Sequence, residues 1–330
     1  MRVLVWFHIK EIRWSLADDH VAALRSRFPR LTIVQALDEA ELARELPQAD
    51  VLFGFELPAA LFPSARRLRW IQCASAGVER LLFPDLVRSE VQVTNAAGIH
   101  EINIPEHALA LTLALARNLP IAIRLKAERR WDRVAAIVGG VGVRVLAGTN
   151  LAVLGAGAIG AGIARRAAAL EMNVRVLRRR PGQPVDGAQA VVGFDGLHDL
   201  LGWADAVVIA LPLTRETHHL IDERALARMK RSAHLVNVGR GEIVDEEALA
   251  RALAAGTIAG AALDAFSVEP LPAESPFWTL ENVIITPHVS GYLPDLHERL
   301  TALFAENLER YLAGRPLRNL VDKSLGYSPQ

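Results

Sequence analysis

Three segments late in the chain each deliver one ionisable side chain just after a strand-like apolar run. They are Asn237-Val238-Gly239-Arg240-Gly241, Leu263-Asp264-Ala265-Phe266-Ser267-Val268-Glu269-Pro270, and Thr286-Pro287-His288-Val289-Ser290-Gly291. In an open parallel sheet, residues leaving the carboxyl ends of the strands converge on the ligand crevice. A guanidinium placed there can hold a carboxylate, bidentate where geometry allows. An imidazole titrates near neutral pH and can give or take a proton. A carboxylate bonded to that imidazole orients the ring and stabilises its charged form. Arg240, Glu269 and His288 are therefore a cation, a supporting acid and a proton donor, the set needed to reduce a 2-oxo acid once a hydride is nearby. Each also has an ordinary reading: a surface ion-pairing arginine, a glutamate ending a turn, a loop histidine after a proline.

A hydride source is suggested by Val153-Leu154-Gly155-Ala156-Gly157-Ala158-Ile159-Gly160, which follows a strand pattern and opens a helical one reaching Leu170. Gly155 allows the tight turn, Gly157 lets backbone approach a pyrophosphate, and Gly160 permits close helix–strand packing. The N-terminus of the helix presents free N–H groups and positive dipole to the anion. NAD-binding versions end the next strand in an acid that accepts from the ribose 2′-hydroxyl. Here Val174-Arg175-Val176-Leu177 runs into Arg178-Arg179-Arg180 with no acid. Guanidinium groups match a 2′-phosphate, so NADP is expected in preference to NAD, with NAD possible.

These segments need strands and helices to position them. The second half reads as a βαβ series from Asn150 to Ile285, with strands at Leu151–Leu154, Val174–Leu177, Ala206–Ala210, His234–Val238 and Ile258–Asp264. The first hundred residues show the same rhythm, with strands near Val3–Trp6, Leu31–Val34, Ala49–Phe53 and Trp70–Cys73, and helices at Val21–Phe28 and Glu39–Glu45. A long apolar helix from about Glu106 to Arg117 links the halves, stopped by Asn118 and Pro120; 122–148 reads as irregular. The C-terminal helix, Leu296–Tyr311, is expected to fold back onto the first half.

Composition narrows the class. Lys plus Arg and Asp plus Glu number 37 each, which argues against an electrostatic nucleic-acid or membrane-surface binder. The single cysteine, Cys73, rules out an intramolecular disulfide and a cysteine-rich metal site. At the N-terminus the apolar run Val3–Phe7 gives way to Lys10, Glu11 and Arg13, too short for a signal-peptide core. A cytoplasmic protein is expected. His218 and His219 are adjacent and do not share a helix face, so no metal is expected.

From about Gln72 to Tyr327 the chain resembles the D-2-hydroxyacid dehydrogenase family, with the glyoxylate/hydroxypyruvate reductase-like branch as the nearer match. The matching stretches are Ser75-Ala76-Gly77-Val78, Pro105-Glu106-His107, the glycine fingerprint, Leu211-Pro212-Leu213-Thr214, Leu235 to Glu246, Leu263-Asp264, Glu269-Pro270-Leu271-Pro272 and Thr286-Pro287-His288. The resemblance implies that Arg240 binds substrate, Glu269 supports, and His288 is the acid/base. It implies that Asp264 contacts the nicotinamide carboxamide side, that Leu211, Pro212, Val238 and Gly239 line the cofactor with Arg178 and Arg179, and that backbone N–H groups at Ser75, Ala76 and Gly77 hold the substrate carboxylate. Asp264 could equally be a cap after its strand. Trp131 would lie in an arm that packs across a two-fold dimer, or serve simply as an interface or core aromatic. His107 reads as a packing histidine.

The expectation is an α/β protein of two Rossmann-like/flavodoxin-like domains with parallel sheets and the active site in the cleft between them. Residues 1–99 with 290–330 would form the substrate-binding domain and 100–289 the dinucleotide-binding one. Its function would be reduction of a small 2-oxo acid by a homodimer. The competing reading is a non-catalytic dinucleotide sensor, which would need only the glycine turn. A formate- or phosphite-oxidising relative is a third, less suited to a Glu269–His288 pair.

Overall fold

The computed structural model describes residues 1–7 and 15–328; Lys10, Glu11 and Arg13 lie outside the described residues. The chain forms two compact units, Met1–Ile99 with Leu293–Gln330, and His100–Tyr292.

In the first unit the order is β1 (Arg2–Trp6), α1 (Asp18–Arg27), β2 (Thr32–Ala36), α2 (Glu39–Glu45), β3 (Val51–Gly54), β4 (Trp70–Cys73), α3 (Pro84–Arg88) and β5 (Gln92–Thr94). All pairs are parallel in the order β2-β1-β3-β4-β5, the flavodoxin-like arrangement. Alternate side chains point to opposite faces, and both faces are apolar. Val3, Val5, Val51, Phe53 and Trp70 face one core; Leu4, Trp6, Leu52 and Ile71 face the other with Leu42 and Leu86. Burial on both sides is why these strands read as unbroken apolar runs.

The second unit runs α4 (Asn103–Ala116), α5 (Leu119–Ala127), α6 (Arg133–Val138), β6 (Asn150–Leu154), α7 (Ala158–Ala169), β7 (Asn173–Leu177) and β8 (Ala190–Val192). It continues with α8 (Leu197–Trp203), β9 (Ala206–Ile209), α9 (Glu223–Arg228), β10 (His234–Asn237), α10 (Glu246–Ala254), β11 (Gly260–Leu263) and β12 (Val283–Ile285). Its parallel sheet is ordered β12-β11-β10-β9-β6-β7-β8, a doubly wound sheet whose direction reverses between β6 and β9. Leu109, Leu115 and Ile163 of α4 and α7 cover one face; Leu200, Leu226 and Leu249 of α8, α9 and α10 cover the other.

The chain then returns to the first unit as α11 (Leu296–Leu312). Phe304 stacks on Phe53 with ring centroids 4.2 Å apart and on Trp70 at 5.5 Å. Buried Asn307 donates to Gln72 Oε1 at 2.9 Å, and Thr94 Oγ1 donates to the same oxygen at 2.8 Å. Such a satisfied buried network fixes the docking position of the helix as well as its stability.

Two expectations need correction. The α4 helix, expected from about Glu106, begins at Asn103, with Pro105 in its first turn, where a missing N–H costs nothing; it packs on α7 of the same unit. The segment 122–148 is not wholly irregular. Asn118, at φ 53°, breaks the chain after α4, and Pro120 then opens α5 rather than ending a helix. Asp132 caps α6 by accepting from the Ala135 N–H at 2.8 Å.

His234, at the start of β10, is 6 % exposed. Burial, reinforced by the nearby Arg144 charge, pushes its imidazole down to about 4. The unfolded chain therefore binds the extra proton first as pH falls. The stability contributed by neutral His234 is full above about 6.5 and is lost as pH drops toward 4, about 3 kcal/mol in all. Replacement by glutamine is expected to flatten the stability-versus-pH curve between pH 6.5 and 4, read by urea unfolding; an unchanged slope would exclude His234 as its source.

Candidate active site

The glycine turn sits where the sheet reverses. Gly155 leaves β6 at φ 113°, and a Cβ there would lie 2.5 Å from the Ala210 carbonyl oxygen. Left-handed backbone and close approach both require glycine. A Cβ at Gly160 would lie 1.9 Å from the Gly155 oxygen, so that residue too is dictated by packing. Gly157 differs: nothing lies within 4 Å of its Cβ position. It precedes α7 with extended backbone and no side-chain cap, so no capping side chain occupies the N–H groups of the helix's first turn, where Ala158 and Ile159 lie. Room beside uncapped N–H groups suits a pyrophosphate. Gly239 abuts Leu211, its Cβ position being 3.0 Å from the Leu211 oxygen, which joins the Leu211-Pro212 and Val238-Gly239 segments. At the end of β7, Arg179 pairs with Glu216 at 2.6 Å. The half-buried Arg178 side chain has no hydrogen-bond or ion-pair partner among the described residues.

Arg240, Glu269 and His288 follow β10, β11 and β12, which are neighbours in the sheet. Asn237 holds the Arg240 turn, donating to the Arg240 carbonyl at 2.9 Å and accepting from the Gly239 N–H at 3.0 Å. The guanidinium donates to the Gly239 oxygen at 3.0 Å. A Cβ at Gly241 would lie 2.0 Å from the Phe266 carbonyl carbon, so the Arg240 turn rests directly on the loop that carries Glu269. Glu269 Oε1 accepts from the Phe266 N–H at 3.0 Å, and its two oxygens stand 2.9 and 2.8 Å from His288 Nδ1. A carboxylate accepts only, so Nδ1 carries the proton of the pair and Nε2 is left as the working nitrogen.

Asp264 is the fixed point of this loop and is 1 % exposed. Its carboxylate accepts from Thr286 Oγ1 at 2.6 Å, the Val289 N–H at 3.0 Å and the Ser290 N–H at 3.1 Å. Burial pushes its carboxyl up, but hydrogen bonds from His107, Ser290 and Thr286 outweigh that and hold it well below the usual aspartate range. Bonds on both sides of His288 keep that residue in the left-handed region at φ 51°. His107, read from the sequence as packing, stands 3.1 Å from Thr286 Oγ1 and belongs to this anchor. Glu246 was passed over as well: it accepts from the Ser267 N–H at 2.7 Å and steadies the Glu269 loop. Both fall within stretches matched above, Pro105-Glu106-His107 and Leu235 to Glu246, but neither spacing nor residue type marks them as anchors of the Glu269 and His288 loops.

In the first unit, Ser75, Ala76 and Gly77 follow β4. Their carbonyls are drawn inward, to the Ala96 N–H at 2.9 Å, Asn95 Nδ2 at 2.7 Å and Cys73 Sγ at 3.7 Å. In a trans peptide the N–H points opposite to the C=O, so the amides of Ala76 and Gly77 point away from these partners. Among the described residues no group of three or more His, Cys, Asp or Glu could hold a metal ion; His218 and His219 stack on each other at 4.1 Å.

Residues 109–290 match the family model described as D-isomer specific 2-hydroxyacid dehydrogenase, NAD binding domain. A glyoxylate reductase of Korarchaeum cryptofilum is 35 % identical over 272 residues, 82 % of this chain and 80 % of that one. The chain belongs to the D-isomer specific 2-hydroxyacid dehydrogenase family. Solved members agree in fold. One from Xanthobacter autotrophicus Py2, in complex with NADPH and MES, has a TM-score of 0.84 at 31 % identity, covering 98 % of this chain and 99 % of that one. An NADPH-dependent glyoxylate/hydroxypyruvate reductase from Sinorhizobium meliloti, with NADP and sulfate, has a TM-score of 0.84 at 26 % identity, with 99 % of each chain covered. Against this dehydrogenase fold, the doubly wound sheet, the glycine turn and the polar residues after β10, β11 and β12 all fall within the matched domain.

Proposed function

We propose that this dehydrogenase is an NADP-preferring reductase of small 2-oxo acids of the glyoxylate or hydroxypyruvate kind, forming the D-2-hydroxy acid. The observation that carries this reading is the Glu269–His288 pair at 2.8 Å, mounted on a loop fastened by Asp264. A reduced nicotinamide dinucleotide, when bound, supplies the hydride. Arg240 binds the substrate carboxylate, which sets the orientation of the neighbouring carbonyl. His288 gives its Nε2 proton to the oxygen as negative charge develops there, and Glu269 stabilises the imidazolium beforehand and holds the ring. Gly155, Gly157 and Gly160 with the α7 N-terminus bind the pyrophosphate. Residues 100–289 serve as the dinucleotide-binding domain, and 1–99 with 290–330 as the substrate-binding one. Initial rates with NADPH and NADH against a panel of 2-oxo acids test this. Glyoxylate and hydroxypyruvate should turn over, faster with NADPH; no turnover of any 2-oxo acid by folded protein would end the proposal.

The NADP preference rests on Arg178, which stands where an acid would accept from a 2′-hydroxyl, and relatives solved in complex with NADPH and with NADP support it. One charge-assisted bond to a 2′-phosphate is worth about tenfold or more. Arg178→Asp is therefore expected to shift the ratio of kcat/KM for NADPH over NADH toward NADH by at least about tenfold. An unchanged ratio would show that this side chain does not read the phosphate.

A homodimer and a cytoplasmic location belong to the same reading. Trp131 is 97 % exposed, so it is no core residue of this chain. Ile123, Val134, Val138 and Val145 are exposed on the same stretch, an apolar surface of the kind that marks association. Sedimentation equilibrium should give twice the chain mass; a monomer at micromolar concentration would contradict it. Among the described residues no single helix is long and apolar enough to cross a membrane.

A further inference from the structure

The Arg179–Glu216 ion pair lies on the cofactor side of the sheet. Arg179 follows β7 and Glu216 follows β9, and these strands flank β6, which carries the glycine turn. The pair therefore bridges the two loops on either side of the point where the sheet reverses. Arg179 Nε and Nη2 both donate to one Glu216 oxygen, at 3.1 and 2.6 Å. That guanidinium edge is also the one a phosphate would use. Glu216 is presented by a fastened loop: Thr217, 3 % exposed, accepts from the Thr214 N–H at 2.8 Å and donates to the Pro212 carbonyl at 2.7 Å.

We propose that Glu216 is a specificity-determining residue, an internal carboxylate that holds the Arg179 guanidinium and must yield it to the 2′-phosphate of NADP. The inference rests on the proposed reading of the phosphate by Arg178 and Arg179. Arg178 is available throughout, whereas Arg179 becomes available only when its pair opens. A cofactor bearing a 2′-hydroxyl makes no demand on that charge and leaves the pair whole. Glu216 thus weakens NADPH binding, spares NADH, and narrows the discrimination that the two arginines would impose without it. The pair is exposed, with side-chain accessibilities of 31 % and 61 %, and exposed pairs are weak. The effect is accordingly a modest factor.

The test measures calorimetric Kd values for NADPH, NADH, 2′-AMP and 5′-AMP with the wild type, E216Q, R179Q and the double variant. E216Q is expected to tighten NADPH and 2′-AMP by about two- to fivefold and to leave NADH and 5′-AMP unchanged. In the R179Q background the gain should vanish. Unchanged or weaker NADPH binding in E216Q overturns the proposal, as does an equal gain when Arg179 is absent. Should R179Q and Arg178→Asp both preserve the wild-type ratio of NADPH to NADH affinity, the arginine reading of the phosphate falls and takes this proposal with it. An altered ratio in those variants with a silent E216Q removes Glu216 alone.

Discussion

Replacing His288 by asparagine is expected to lower kcat for 2-oxo acid reduction by about a hundred- to ten-thousandfold. The asparagine amide can still hydrogen-bond to Glu269, so the loop keeps its shape. It has no proton to give near neutral pH, so the alkoxide would have to form without a partner. The substitution removes a side chain that is 44 % exposed and belongs to neither apolar cluster of its unit, so stability should change by less than about 0.5 kcal/mol. NADPH affinity, set by the glycine turn and the arginines, should hold. The measurement is single-turnover reduction with matched thermal melts and cofactor titrations. Undiminished turnover would remove His288 from the chemistry and favour a protein that only senses its dinucleotide.

Most of what positions that histidine was legible in the linear sequence, for a physical reason. Strands buried on both faces are largely apolar, so β1, β6, β9 and β10 stand out as runs built around Val, Leu and Ile. Ligand-facing polar residues must then appear where those runs stop. The three-residue strands β5, β8 and β12 were harder to see, because three residues hold no period and their existence depends on the neighbouring strand. Pro120 was misread because proline excludes itself from a helix interior yet is favoured in the first turn, and only the left-handed Asn118 decides between the two. The anchoring role of Asp264 was hidden for a different reason. Its partners, His107, Thr286, Val289 and Ser290, lie up to 157 residues earlier or 26 later in the chain, and two of the bonds come from backbone N–H groups, which no side-chain pattern records.

Asp264→Ala is expected to cost about 3–5 kcal/mol of folding stability and to depress turnover as well. Three donors, the Thr286 hydroxyl and the Val289 and Ser290 amides, would lose their shared acceptor at once. Hydrogen bonds to a charged partner contribute about 1.5–3 kcal/mol each, and the sum is less than additive because one loop carries all three. Released from both sides, His288 would no longer be held at a positive φ, which an L-residue rarely keeps unaided. The pH dependence separates this anchor from His234. A carboxylate held below its ordinary range stabilises the fold fully above the unfolded value, about 3.9, and the gain is lost only as pH falls further. His234 acts between 6.5 and 4. Asp264→Ala should therefore flatten the acid limb below about pH 4 and leave the higher one as it was. A nicotinamide contact alone predicts something else: a raised KM for NADPH with an unchanged denaturant midpoint. Observing that pair of results would reassign Asp264 from the loop to the cofactor, because a buried acceptor that three donors share cannot be removed without loosening the fold around them.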